Sequence, residues 1–221
     1  MKMKNFLNTL KQLYHTSALE GYTKEEIHFL KNKFGALPQV LEDYYDTAGK
    51  TKAFHFVQDH WISPQNFKQW SWLEKSDYFI LLNENQGVCR AGIHRKDLSF
   101  SNPPVYTSYD DKTWQICTST TKEFLMAALT YESVFTFDYQ PEEFYTLTKE
   151  QLQLLQASLS KYPFQMQNWI DTNISFYSNA CDNLVVVFTF SNGELQMLYG
   201  AASKSSYQKL LNVVKDIGEP L

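Results

Sequence analysis

Residues 77–104, DYFILLNENQGVCRAGIHRKDLSFSNPP, frame the reading of the whole chain. An apolar run at 78–82 meets the polar turn Asn83-Glu84-Asn85-Gln86-Gly87. A second run at 88–93 follows, and Pro103-Pro104 precedes a third at 105–108. Short apolar runs broken by Asn/Gly turns read as paired strands, and a fourth is expected at 113–117. Asn85, Gln86 and Gly87 can bond their own backbone and permit a tight reversal. Their expected work is to hold the fold rather than touch a partner, and Pro103-Pro104 is expected to shape a strand entry.

Upstream, helical spacing governs. Phe6, Leu7, Leu10, Leu13 and Tyr14 predict an amphipathic first helix. Thr23 and Glu26 form a capping box, in which each side chain takes up an orphan N–H at the helix start. That helix carries Ile27, Leu30 and Phe34 and stops at Gly35. Pro38 suits a first helical turn, because its missing N–H would be unpaired there. Val40, Leu41, Tyr44, Tyr45 and Ala48 form its stripe, with Gly49 as a left-handed stop. Residues 53–57 read as a short strand, and Ser63-Pro64 opens a helical turn holding Phe67 and Trp70. Thr120 and Glu123 cap a helix bearing Phe124, Leu125, Ala128 and Leu129.

Beyond residue 136 the order of elements begins again. Thr148 and Gln151 cap a helix with Leu152, Leu155 and Leu159. Residues 184–200 read as a hairpin turning on Asn192-Gly193, the dipeptide preferred in a two-residue loop. Such a loop would pair Phe190 with Leu195, Phe188 with Met197 and Val186 with Tyr199 on one face. Thr189 with Gln196 and Val187 with Leu198 would stand on the other. A last helix (Tyr207, Leu210, Leu211, Val214, Ile217) is the expected cover for the apolar face. The reading is therefore an α+β protein, with one domain over 1–136 and an appended, docked α/β unit over 137–221.

Composition narrows the classes. At 43% hydrophobic and 20% charged the chain is too apolar for disorder. The net charge of −4 comes without a Lys/Arg stripe, so no nucleic-acid partner is expected. No run of about 18 apolar residues offers a membrane span. The interrupted N-terminus lacks the apolar core of a secretory signal. Cys89, Cys117 and Cys181 are odd in number and far apart, which suits reduced thiols and a cytoplasmic address.

Leu37-Pro38, Glu84-Asn85-Gln86-Gly87, Gly92-Ile93, Pro103-Pro104-Val105 and the helix after Thr120 together resemble the SUKH superfamily, over roughly residues 22–135. Its members include cell-wall-assembly regulators and bacterial immunity proteins. They tend to carry a Trp just before Gly-Ile, where this chain has Ala91. The resemblance implies a mixed or antiparallel sheet flanked by helices, and a protein that neutralises a cognate toxin, often a nuclease or deaminase, by direct binding. A regulatory scaffold for a signalling or cell-wall protein is the alternative it implies. It brings no catalytic residues.

His55, Asp59 and His60 suit neither a helix face nor the usual short His pairs, so no metal or cofactor is expected. Cys89 with His94 is the one thiol–imidazole pair a thiol enzyme could use, but a buried Cys is commonly just a small apolar residue. No phosphate loop or nucleophile elbow occurs, and no enzyme is expected. The partner-binding candidates are acidic and aromatic. Glu42, Asp43 and Asp46 share the outer face of the Pro38 helix, Asp110 and Asp111 sit on a turn, and Trp61 and Trp72 could supply anchors. An acidic inhibitor would be steered quickly to a basic toxin site.

Overall fold

The structure, a computed structural model, describes residues 3–55 and 57–221. Helices α1 (Met3–Leu13), α2 (Lys24–Phe34), α3 (Gln39–Ala48) and α4 (Lys52–His55) come first. Strand β1 (His60–Trp61), α5 (Pro64–Gln69), α6 (Trp72–Lys75), β2 (Tyr78–Asn83), β3 (Arg90–His94), β4 (Val105–Ser108), β5 (Gln115–Thr118) and α7 (Thr121–Ser133) follow. The remainder is β6 (Tyr145–Thr146), α8 (Lys149–Ser158), β7 (Ser160–Trp169), β8 (Thr172–Ser178), β9 (Asn183–Phe190), β10 (Leu195–Ala201), α9 (Lys204–Val214) and β11 (Glu219–Pro220). Helices alternate with antiparallel sheets, and the fold is α+β.

Two compact units emerge. One comprises Ala18–Leu125 with Asn168–Ile170, and the other takes the residues through Ser17, Met126–Gln167 and Asp171–Leu221. The expected single cut after residue 136 differs from this division in two ways. Helix α1 groups with the C-terminal residues, and the chain changes unit inside α7. That helix is apolar on every side from Phe124 to Leu129, with all six residues buried, and its all-round burial leaves no loop for a boundary.

The five-stranded unit holds an antiparallel meander ordered β1-β2-β3-β4-β5. Phe67 stacks on Phe79 at 4.6 Å, and Phe34 stands edge-on to both, so α2, α5 and β2 share one aromatic core. The capping box at Thr23/Glu26 forms, and Gly35 closes α2 at φ +81°. Ser63 and Asn66 form a second box at α5. Gly49, by contrast, is right-handed at φ −60°. Its value is close approach, since a Cβ there would lie 2.7 Å from the Tyr22 ring.

Residues 53–57 do not form the expected strand. Lys52–His55 is a short helix, and Phe56 lies outside the described residues. A short apolar run fits either period. Here it curls because Thr51 is pinned, its Oγ1 accepting the Glu20 N–H at 2.8 Å, and Phe54 turns fully inward.

In the six-stranded unit the order is β11-β6-β10-β9-β8-β7. The Thr148/Gln151 box forms as expected. The β9–β10 hairpin forms too, but one residue out of the expected register. Phe190 N–H donates to Glu194 O and Gly193 N–H to Phe190 O, which makes a three-residue loop, Ser191-Asn192-Gly193. Only Gly193 takes positive φ, at +86°. A type I turn followed by one left-handed glycine replaces the two-residue turn. The pairs are consequently Leu195 with Thr189, Met197 with Val187, Tyr199 with Val185 and Leu198 with Val186. One face of the hairpin joins Leu210, Val214 and Ile217 in a core cluster, so α9 and the turn after it cover it as expected. On the other face Phe188 packs near Tyr131 and Phe144.

Candidate protein interface

The Asn83–Val88 turn is held by carboxylates rather than by its own amides and glycine alone. Glu84, buried, accepts the Gln86 and Val88 N–H groups at 2.9 and 3.0 Å. Buried Asp59 accepts the Asn85 N–H at 3.1 Å, and Gly87 provides φ +75°. Two acids, two strands and one glycine make this a framework. Pro103 is also structural, its carbonyl accepting both the N–H and the Oγ–H of Thr121 at the start of α7.

Beyond the turn, β-alternation builds a surface. Cross-strand partners share a face, so Tyr78 and His94 stand on the same side as Gly92, Tyr106 and Ile116. Tyr78 lies flat on Trp114 at 3.7 Å and 10°, and edge-on to His94 and Tyr106. Arg90 leaves β3 on the same side. Its guanidinium sits 4.7 Å above the Trp72 ring and 3.0 Å from Asp111. Trp72, Tyr78, Arg90, His94, Asp111 and Trp114 line an open cleft of about 650 Å³ with Lys75 and Lys112 among its walls. Trp72 is 36% exposed and Ile116 50%.

The loop that carries Asp111 is itself built. Asp110 accepts the N–H groups of Thr113 and Lys112, and those bonds hold its carboxyl down at about 2. Asp111 takes φ +61°, and its carbonyl accepts the Trp114 indole N–H.

The residues singled out in the sequence do not share one surface. Trp72 and Asp111 meet at this cleft through Arg90. Asp110, their neighbour, serves the turn. Glu42, Asp43 and Asp46 do share the outer face of α3, but Glu42 pairs with Lys31 at 2.8 Å and Asp43 accepts from Gln39. Lys24 and His28 line the same shallow cleft as these acids, which dilutes the expected acidic face. Trp61 lies in a third cleft of about 780 Å³ with Tyr22 and His55. Its ring packs against His55 and Phe124, and its indole N–H is buried without a hydrogen-bond partner.

Cys89 and His94 do not form a catalytic pair. Cys89 directly precedes β3 and His94 ends it, so five residues of extended chain put their Cα atoms roughly 16 Å apart. Burial pushes the Cys89 thiol up to about 12, so thiolate is suppressed. His94 Nδ1 accepts the Lys96 N–H instead. His55 is hydrogen-bonded to the Tyr44 hydroxyl at 2.6 Å, and burial lowers its pKa to about 3. No group of three or more His, Cys, Asp or Glu side chains converges as a metal site among the described residues. Nor, among them, is any helix long and apolar enough to cross a membrane.

Tyr78, Arg90 and Trp114 were not candidates from sequence, and His94 figured there only as the imidazole beside Cys89. The available signal was the alternation Arg90-Gly92-His94, which puts three polar or small side chains on one face of an otherwise apolar strand. Compared with known proteins, the sequence matches no family model, and no curated protein or solved structure is significantly similar.

Proposed function

We propose that this chain is a protein-binding immunity protein of the SUKH kind, acting in the cytoplasm to neutralise a cognate toxin by direct contact. The observation that carries the reading is the open cleft on the five-stranded sheet. There the Arg90 guanidinium lies over Trp72, and Trp114 is stacked on Tyr78. Trp, Tyr and Arg are the residue types that concentrate binding energy at protein interfaces, and a shaped, partly exposed cluster of them is what an anchor pocket needs. Tyr78 and Arg90 stand on paired strands and fix Trp114 and Trp72 through their ring contacts, so little ordering is required on association. Inhibition would follow from the bound protein covering the toxin's active site or blocking its motion.

The test is co-expression with a toxin encoded beside this gene. Growth should be rescued by the natural chain and lost with Trp72→Ala/Trp114→Ala. Growth arrest with the natural chain present would reject immunity to that toxin.

A further inference from the structure

The cleft also indicates what it would hold. Although the chain carries a net charge of −4, this cleft collects Lys75, Arg90 and Lys112 against Asp77 and Asp111. The Asp77 charge acts both on Tyr78 in the lining and on Arg95 outside it, and the three cations still outnumber the two acids. Among the described residues no ion pair engages Lys75 or Lys112. The cleft therefore has a cationic excess in an acidic protein.

Within it Arg90 stands over Trp72, its guanidinium carbon 4.7 Å from the ring centroid, a contact that uses none of its N–H donors. One of these, on Nη1, meets Asp111. Asp111 is a weak hold: its side chain is 53% exposed and its backbone sits in the left-handed region, at φ +61°. Exposed ion pairs contribute little, and a non-glycine residue in that region is mildly strained. A carboxylate arriving from outside can displace it at low cost and gain a charge-assisted hydrogen bond to a pre-positioned guanidinium.

We infer that the cleft binds an acidic segment of the partner protein, one carboxylate replacing Asp111 on Arg90 while a neighbouring side chain packs on Trp72 and Trp114. The inference rests on the protein-binding reading above. It assigns that partner an acidic contact, the reverse of a basic site drawn to the α3 acids.

The experiment titrates the ¹⁵N-labelled full-length protein with an acetylated pentapeptide of four acidic residues around one tyrosine. A matched peptide with four lysines is the control. The Trp72 and Trp114 indole N–H signals, assigned with Trp72→Phe and Trp114→Phe, should shift saturably with the acidic peptide only. Asp111→Asn should tighten binding by roughly two- to fivefold, the size of an exposed ion pair. Arg90→Ala should weaken it by about tenfold or more, and Arg90→Lys should restore only part, because an ammonium lacks the planar fork. No saturable shift, equal binding of the basic peptide, or an unaltered affinity in Asp111→Asn would each overturn the inference. Growth rescue reads the immunity function separately. A chain that protects cells but ignores the acidic peptide refutes only the acidic contact, whereas one that binds it without protecting supports this inference and refutes the immunity reading.

Discussion

Trp114 lies flat against Tyr78, with ring centroids 3.7 Å apart and planes 10° from parallel. Such a pair adds about 0.5–1.5 kcal/mol beyond the area it buries, and Tyr78 is further fixed by His94 and Tyr106 at its edges. Trp114→Ala should therefore lower stability in urea by about 1–2 kcal/mol, the stacking term plus the burial of a partly covered ring. Its effect on partner affinity should be larger, at about 2 kcal/mol or more if the cleft is the anchor. Calorimetric titration with the partner and denaturant melts of the same variant separate the two effects.

Glu84 should matter more to folding than its place in a turn suggests. Its carboxylate accepts two loop N–H groups while buried. Glu84→Ala leaves both without their acceptor and is expected to cost about 1–3 kcal/mol. Glu84→Gln retains one acceptor oxygen and should cost clearly less. Equal melting of the two variants would show that the turn does not depend on that carboxylate.

The main outline of this protein was readable from its residues because local rules acted alone. Thr23/Glu26, Thr148/Gln151 and Ser63-Pro64 cap helices without distant help. The runs at 78–82 and 105–108 had no competing period. Errors arose where a tertiary contact overrode a local preference. Asn192-Gly193 favours a two-residue loop, yet the paired strands settle on three, which moves Met197 from Phe188 to Val187. Residues 53–55 carry no period at all, and a hydrogen bond from Glu20 to Thr51 positions the chain just before them. The cleft was the least legible feature. Trp72, Tyr78, Arg90 and Trp114 come from four separate places in the sequence, and only the pairing of β2 with β3 and the loop before β5 brings them together.

Thiol chemistry offers a direct check on the inert reading of Cys89. Cys89 and Cys117 are buried, Cys181 is exposed, and the Cys89 thiol is pushed up to about 12. Native protein at pH 8 should take up one maleimide, at Cys181, and three after denaturation. Rapid native labelling of Cys89, seen by peptide mass spectrometry, would contradict the buried, protonated thiol.

Stability should fall on mild acidification because of His55. The unfolded chain protonates this imidazole near 6.5, whereas the folded protein resists until about 3. The unfolded state therefore binds the extra proton throughout that interval, and folding free energy declines as pH drops through it. At about 1.4 kcal/mol per unit, the loss from pH 7 to 4 is on the order of a few kcal/mol. Burial is the cause of the shift, so His55→Gln, which keeps a partner for the Tyr44 hydroxyl, should flatten the urea-midpoint profile between pH 6.5 and 4. An unchanged slope in that variant would place the acid sensitivity elsewhere.

Charge reversal on α3 distinguishes the two faces that could meet a partner. Glu42 already pairs with Lys31, and Asp43 accepts from Gln39, while Asp46 stands exposed near Lys24 and His28. Replacing all three by lysine would change the charge by six units. If this helix steered a basic partner, association would slow strongly at low salt and the difference would fade as salt screened it. With the cleft as the binding face, the triple variant should associate no more slowly than the natural chain, and an acidic partner should arrive somewhat faster. Arg90→Ala should instead raise the dissociation rate, because it removes a directed contact rather than a long-range field. Stopped-flow association at 20 and 200 mM salt, with dissociation measured by displacement, reads both effects. A steep, salt-dependent slowing confined to the α3 variant would move the interface from the sheet to that helix.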